Sequence, residues 1–257
     1  MSWRAHLFNI VFYLNLIVFL LLCIPFMLVP RHITIKTYVA WGRATRFLHK
    51  QIVGTDVEVR GLERLPAGPV LIASKHQSAW DTSILPSLFA DPAMVLKREL
   101  SWIPLFGWFI LKFQMIPIDR SAGPRALRAL RKAAERAVRQ GRQVVIFPEG
   151  TRRPPGAAPD YKPGVALLYG QLNVPCVPVA LNSGLFWPRR KAQRYPGTII
   201  VELLDPIPPG LPRKQFMREL EGRIESASAR LIEETAMSPN PPPTVAAAKR
   251  LIDNHSA

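Results

Sequence analysis

The sequence predicts an α/β fold, a mixed and largely parallel sheet flanked by helices, with an N-terminal membrane-associated helix or two-helix segment. Three observations carry this. Short apolar runs at 69–74, 144–147, 177–181 and 198–204 alternate with helical patterns, the signature of strand–helix–strand units. A stretch from Leu7 to Val29 is apolar except at Asn9, Asn15 and Pro25, and no acidic residue occurs before Asp56. The 257 residues are 48% hydrophobic, enough to build one core, and the formal charge of +16 suits a polyanionic partner.

The N-terminal run is 23 residues long. At 1.5 Å rise per residue it can cross a hydrocarbon core of about 30 Å. It is too long for the apolar region of a signal peptide, and no small-x-small cleavage site follows. Arg31, Lys36, Arg43, Arg46 and Lys50 lie after it and only Arg4 before it. A spanning helix therefore leaves the body of the protein on the cytoplasmic side of the cytoplasmic membrane. Pro25 also permits a helix that enters one leaflet and returns. Residues 33–53 are then a second, amphipathic helix with Tyr38, Trp41, Thr45 and Leu48 on its greasier face. The expected organisation is membrane-associated helices over 1–55, an α/β domain over 56–235, and a Pro-rich linker and frayed tail over 236–257.

Within the domain, 56–60 alternates as a short strand, 61–68 is a turn and 69–74 a buried strand. A short helix is expected over about 78–88. Residues 100–118, rich in aromatics, read as a helix and then a strand, packed on the core or dipping into a lipid interface. Pro124 and Gly141 bracket the clearest soluble helix. Leu127, Leu130, Ala134 and Val138 line one of its faces. Arg128, Arg131, Lys132, Arg136 and Arg139 occupy much of the rest, a face for which solvation is a sufficient account. The segment 186–194 is a loop that mixes aromatics with positive charge, which suits an interface.

Cys23 and Cys176 sit in apolar stretches without disulfide or metal spacing. There is no Gly-x-Gly, Gly-x-Ser-x-Gly, His-Glu-x-x-His or Cys-x-x-Cys, which removes sequence support for P-loop phosphate transfer, a nucleophile elbow and zinc proteolysis. No cofactor and no metal are expected. No nucleic-acid motif accompanies the charge.

Four stretches carry chemistry. The first is Lys75-His76-Gln77-Ser78-Ala79-Trp80-Asp81, directly after a buried strand. Open α/β sheets place their ligands at strand ends, and an imidazole there can act as a general base on an alcohol. A nearby carboxylate would fix its tautomer. His76 and Asp81 are not on one helical face at a spacing of five, so His76 must lie in the loop and Asp81 in the first helical turn. Ser78 and Asp81 equally match a capping box, and one carboxylate would have to serve both purposes. The other stretches run from Gln114 to Arg120, from Phe147 to Arg152, and from Tyr161 to Gly164. They set cationic side chains beside strand ends and glycine turns. Arginine suits phosphate because its planar fork makes paired, charge-assisted bonds.

In this order the first three stretches, followed by an apolar Pro-containing strand, resemble the blocks of the glycerolipid acyltransferases, specifically the 1-acylglycerol-3-phosphate acyltransferases. The matching residues are His76…Asp81, Ile118-Asp119-Arg120, Phe147-Pro148-Glu149-Gly150-Thr151-Arg152 and Val177-Pro178-Val179, and the resemblance covers roughly residues 56–205. Two positions depart from the family's usual pattern: Lys75 stands where Asn is frequent, and Gln114 where Gly is frequent. The resemblance implies a membrane enzyme that moves a fatty acyl group from an acyl thioester, on coenzyme A or acyl carrier protein, to the free hydroxyl of lysophosphatidic acid, giving phosphatidic acid; the alternatives are the same chemistry on a different lysophospholipid or lyso-amino-lipid, and a non-catalytic membrane lipid-binding protein. It implies that His76 takes the hydroxyl proton and Asp81 orients His76, with no acyl-enzyme. Arg120 and Arg152 would hold the acceptor phosphate, Lys97 and Lys162 would be weaker candidates, and Glu149, Gly150 and Thr151 would shape the acceptor pocket. The implied partners are the lysolipid, the thioester donor and an anionic membrane surface, with no nucleic acid.

Overall fold

A computed structural model describes residues 3–256, apart from the side chains of residues 120, 255 and 256. The most fully buried strands are β2 (Val70–Ser74) and β6 (Cys176–Leu181), both buried throughout, and β5 (Gln143–Ile146), buried from Val144 onward. Strands covered on both faces read as continuous apolar runs, and these three lie at the centre of the sheet. Among the described residues seven strands form one sheet. The others are β1 (Thr55–Arg60), β3 (Pro92–Lys97), β4 (Ile116–Ile118) and β7 (Gly197–Leu203), and the order is β1-β7-β6-β2-β5-β3-β4. All neighbours pair in parallel except β6 with β7. This is the mixed, largely parallel sheet expected. β3 has no counterpart in the sequence reading, because Pro92 and a short mixed run hide it.

Alternation along the strands gives the sheet two faces. Ile72, Val145, Val177 and Val179 face one core, which also holds Phe8, Phe12, Ile35 and Trp41. Leu71, Ala73, Val144 and Ile146 face the other, formed with α5 (Gly123–Arg139), α6 (Gly164–Leu172) and part of α8 (Arg213–Ala236). The sheet thus separates the N-terminal helices from α5.

The N-terminal apolar run is not one 23-residue helix. α1 (Trp3–Leu22) ends, Pro25 sits in a single 3-10 turn over Ile24–Met27, and α2 (Arg31–Val53) returns alongside. Asn15 donates to Thr45 Oγ1 at 3.3 Å and Phe8 stacks on His49 with centroids 4.5 Å apart, so the two helices are antiparallel. Among the described residues α1 alone is long and apolar enough to cross a membrane, with a mean hydropathy of 2.2. Its outer stripe of Ile10, Leu14, Ile17 and Leu21 is exposed, whereas Ile35, Trp41 and Val53 of α2 are buried against the sheet. Arg142 ties this layer to the sheet edge. It is buried, donates to the carbonyls of Pro92, Phe113 and Gln114, and pairs with Asp91, which also takes both Nη atoms of Arg31 at 2.7 Å. A buried guanidinium is tolerated here because its donors are used.

The helix expected over 78–88 is two single turns, α3 (Trp80–Ser83) and a 3-10 turn over Leu85–Leu88 that begins at Pro86's neighbour. α4 (Phe106–Lys112) and β4 fill the expected helix and strand of 100–118. The C-terminal reading needs correction. Residues 236–257 were expected to be a linker and frayed tail, yet α9 (Thr244–Ser256) follows the proline run and docks on α8 and on α7 (Ser183–Phe186). Val245 and Ala248 are buried, and Thr244 Oγ1 donates to the carbonyl of Leu185 at 2.6 Å. The prolines end one helix and start the next rather than releasing the chain.

Candidate active site

Three neighbouring parallel strands end at one place. β2 delivers Lys75 and His76, β5 delivers Phe147 to Gly150, and β6 delivers Asn182 and Ser183. This edge, at the carboxyl ends of the strands, is where open α/β sheets bind ligands.

His76 lies in the loop and Asp81 in α3, as their spacing required. His76 Nδ1 stands 2.9 Å from Asp81 Oδ2. The same oxygen accepts from the backbone N–H of Gln77 at 2.7 Å and of Ser78 at 2.8 Å. Asp81 Oδ1 accepts from the hydroxyl of Ser183, across from β6. Asp81 therefore serves the imidazole and the backbone together, and Ser78 Oγ completes the turn by accepting from Trp80 N at 2.9 Å. A carboxylate in contact with Nδ1 holds that nitrogen as the N–H tautomer and directs Nε2 outward as a base. The imidazole stacks on Phe147 with centroids 4.0 Å apart, and its backbone is fixed by the bond from Arg153 N–H to its carbonyl at 2.8 Å. The side chain of His76 keeps 10% of its surface open.

The second strand end forms a turn. Gly150 N–H donates to the carbonyl of Phe147 at 2.9 Å, and Gly150 has φ +64°, a conformation that costs glycine least. Glu149 is buried and pairs with Lys75 at 3.0 Å. Lys75 also reaches Glu225 of α8 at 2.7 Å, and Tyr161 donates to Glu225 at 2.9 Å. Burial pushes the Glu149 carboxyl above its ordinary value, with the Lys75 charge working against that. Lys75, the departure at this position, is thus a counter-ion behind the turn and not a group facing substrate.

A cleft of about 500 Å³ runs from Phe147 through Glu149, Gly150, Thr151 and Lys162 to Ile118, Gly123 and Ala126 at the start of α5. Glu149, Gly150 and Thr151 are brought together on its wall. Lys162 lines it too, but its ammonium is held by Asp160 at 2.7 Å. Lys97 lies outside the lining and pairs with Glu99 at 2.8 Å on the surface. Arg152 is half-buried and makes no hydrogen bond or ion pair among the described residues. Burial lowers its pKa from the ordinary value, Asp81 opposes that, and Arg189 adds to it. The side chain of Arg120 lies outside the described residues. Its neighbour Asp119 accepts from Ser121 N–H at 3.0 Å and pairs with Arg98 at 2.8 Å, which fixes the turn entering α5.

Two contributors escaped the sequence reading. Ser183 orients Asp81, and Arg189 is near enough to Arg152 to lower its pKa further. The polar Asn182-Ser183 pair directly after the apolar run of β6 is the signal that could have found the first. The second sat in the loop assigned only to an interface.

Comparison with known proteins agrees with this geometry. A family model described as Acyltransferase matches residues 56–182. The chain is 42% identical over 161 residues to the 1-acyl-sn-glycerol-3-phosphate acyltransferase of Pseudomonas aeruginosa, covering 63% of each chain. It is 30% identical over 206 residues to the enzyme of that name from Saccharomyces cerevisiae, covering 77% of this chain and 68% of the yeast one. The chain thus spans under two thirds of the Pseudomonas relative's length. The crystal structure of the 1-acyl-sn-glycerophosphate acyltransferase of Thermotoga maritima has the same fold, with a TM-score of 0.75 at 23% identity over 89% of this chain and 96% of that one. With the four blocks in order on one fold, the chain belongs to the acyltransferase family that includes the 1-acyl-sn-glycerol-3-phosphate acyltransferases.

Proposed function

We propose that this protein transfers a fatty acyl group from an acyl thioester, on coenzyme A or acyl carrier protein, to the free hydroxyl of lysophosphatidic acid, giving phosphatidic acid. The observation that carries this is the His76–Asp81 pair, 2.9 Å apart at the end of β2, beside a cleft walled by Glu149, Gly150 and Thr151. His76 Nε2 takes the hydroxyl proton as the oxygen attacks the thioester carbon. The C–O bond forms, the C–S bond breaks, and the imidazolium returns the proton to the departing thiolate. Asp81 stabilises that imidazolium without itself being protonated. General base catalysis of this kind contributes about 10²–10⁴-fold, and alignment of the two bound substrates supplies more. Arg152 and Arg120 hold the acceptor phosphate. Lys162 is a lesser contributor, because Asp160 already holds its ammonium, and Lys97 is further removed.

The α1–α2 hairpin sets this site against the lipid that contains the acceptor. The exposed stripe Ile10, Leu14, Ile17 and Leu21 sits in the acyl region, and the exposed Lys36 and Arg43 meet anionic head groups. Because α2 brings the chain back, the hairpin enters one leaflet of the cytoplasmic membrane and returns, with the catalytic body on the cytoplasmic side.

The deciding experiment measures phosphatidic acid formation in liposomes containing lysophosphatidic acid and supplied with acyl-coenzyme A, for wild type and His76→Ala. Product from wild type and none from a folded, membrane-bound variant is expected. Product from both removes His76 as the base, and product only with a different lysolipid moves the assignment to that acceptor.

A further inference from the structure

α5 carries a charge pattern that the acyl-transfer chemistry at His76 does not use. Arg125, Arg128, Lys132, Arg136 and Arg139 are all exposed, and none forms an ion pair among the described residues. At 100° per residue these five fall within an arc of about 80°, over a length of about 21 Å. The opposite arc, with Leu130, Ala134 and Ala137, is buried against α6 and the sheet. Arg131, outside the stripe, is the α5 cation with an acidic partner, Glu135 at 3.6 Å. Cations in a row repel one another; Arg136 and Arg139, in the last turn, gain from the helix dipole, whereas Arg125, Arg128 and Lys132 do not.

Lipid is the obvious polyanion for a chain of charge +16, but the fold argues against it here. α5 packs on the face of the sheet opposite the α1–α2 hairpin, so the stripe points away from the surface that meets lipid. Its length also exceeds what the few clustered phosphates of one small molecule can neutralise. It matches a helix-sized acidic face on a soluble protein. The stripe begins at Arg125, between Gly123 and Ala126, both of which line the catalytic cleft.

We infer that the outer face of α5 is the docking surface for an acidic acyl carrier protein, which presents its acyl thioester at the rim of the cleft. This rests on the acyl-transfer reading and specifies its donor. The carrier's thioester carbon gains the bond to the acceptor oxygen, and the carrier leaves as the free thiol with the proton returned by His76. Electrostatic complementarity of this kind raises association rates and makes them sensitive to salt.

The test is the triple variant Arg128→Glu/Lys132→Glu/Arg136→Glu, none of whose positions lines the cleft. Binding of purified acyl carrier protein to wild type and variant is measured directly. Transfer is then measured from acyl carrier protein and from acyl-coenzyme A, and vesicle binding is measured alongside. The expected result is a rise of about tenfold or more in the Kd and KM for the carrier, with loss of salt dependence. Turnover with acyl-coenzyme A and binding to anionic vesicles stay unchanged. An equal loss with both donors overturns the proposal in favour of a coenzyme A phosphate site or a folding defect. Loss of vesicle binding makes the stripe a membrane contact. Absence of carrier binding to wild type, or identical binding to both proteins, makes it a solvated face. Transfer by wild type from neither donor would refute the acyl-transfer reading, and the binding comparison would still decide the docking surface.

Discussion

Replacing Asp81 by Asn separates charge from geometry at this site. In the native arrangement Oδ2 accepts from Gln77 N–H, Ser78 N–H and the His76 ring, while Oδ1 accepts from Ser183. Two fixed backbone donors dictate how an amide must sit: its carbonyl oxygen takes the place of Oδ2, and its NH₂ turns to Ser183, whose hydroxyl can accept. The tautomer and position of His76 survive and the negative charge alone is lost. A hydrogen bond to a charged partner exceeds a neutral one by about 1–2 kcal/mol. A carboxylate and an imidazolium about 4 Å apart at an effective dielectric of ~20 attract by about 4 kcal/mol. The expected fall in kcat is therefore roughly 10- to 1000-fold, at nearly unchanged acceptor KM and unchanged stability. Asp81→Ala behaves differently. It strands two buried N–H groups, each costing about 1–3 kcal/mol, so it loses stability as well as activity. The assay is phosphatidic acid formation in liposomes, with thermal unfolding of the same preparations. Wild-type kcat in the Asn variant would refute the charge role, and wild-type stability in the Ala variant would refute the capping role.

Three further outcomes are expected. Arg152→Ala should raise acceptor KM with a smaller change in kcat, because Arg152 is half-buried at the end of the Phe147–Arg152 block and has no carboxylate partner among the described residues; a change confined to donor KM would contradict this. Lys75→Met should leave the buried Glu149 without its nearest cation, a loss of about 3–5 kcal/mol at neutral pH. A carboxyl whose folded pKa is raised supplies its stability below the unfolded value and loses it as pH rises through the folded one. The Lys75→Met variant should therefore weaken from pH 5 to pH 8, and adding Glu149→Gln should abolish that slope in denaturant titrations. Gly156→Ala should detach α9: Gly156 has φ +77°, and a Cβ there would stand 2.2 Å from the carbonyl of Ala248. Hydrogen exchange over 244–256 should accelerate, and unchanged protection would show that the loop and α9 are not in register.

The sheet was legible because its central strands are buried on both faces and so appear as unbroken apolar runs. The His76 block was legible because a strand end followed by a helix start admits a spacing of five. What escaped was of two kinds. β3 and α9 depend on tertiary burial of few residues, such as Ala93, Met94, Val245 and Ala248, and proline-rich flanks disguised both. Ser183 and Lys75 act on groups far away in sequence, 102 residues from Asp81 and 74 from Glu149 respectively, and no local pattern records such a meeting. Two of the cationic candidates have local partners that the block pattern does not record. Lys97 and Lys162 have carboxylates within two residues, Glu99 and Asp160, that hold them at the surface.

The hairpin of α1 and α2 has two unlike sides. α2 is a wall of the catalytic fold: the hydroxyl of Tyr38 donates to the carbonyl of Thr82 at 2.8 Å, and Gly42 lies so close to Ser87 that a Cβ would stand 2.6 Å away. The helix that carries Asp81 leans on it. Trimming the chain to obtain a water-soluble form would therefore take out masonry along with mooring, leaving Ile72, Val145 and Val177 bare. Only the outer stripe of α1 is mooring alone. Polar substitutions at Ile10, Leu14, Ile17 and Leu21 are the route to a form that leaves lipid with its catalytic half intact, and any truncation within α2 is a route to none.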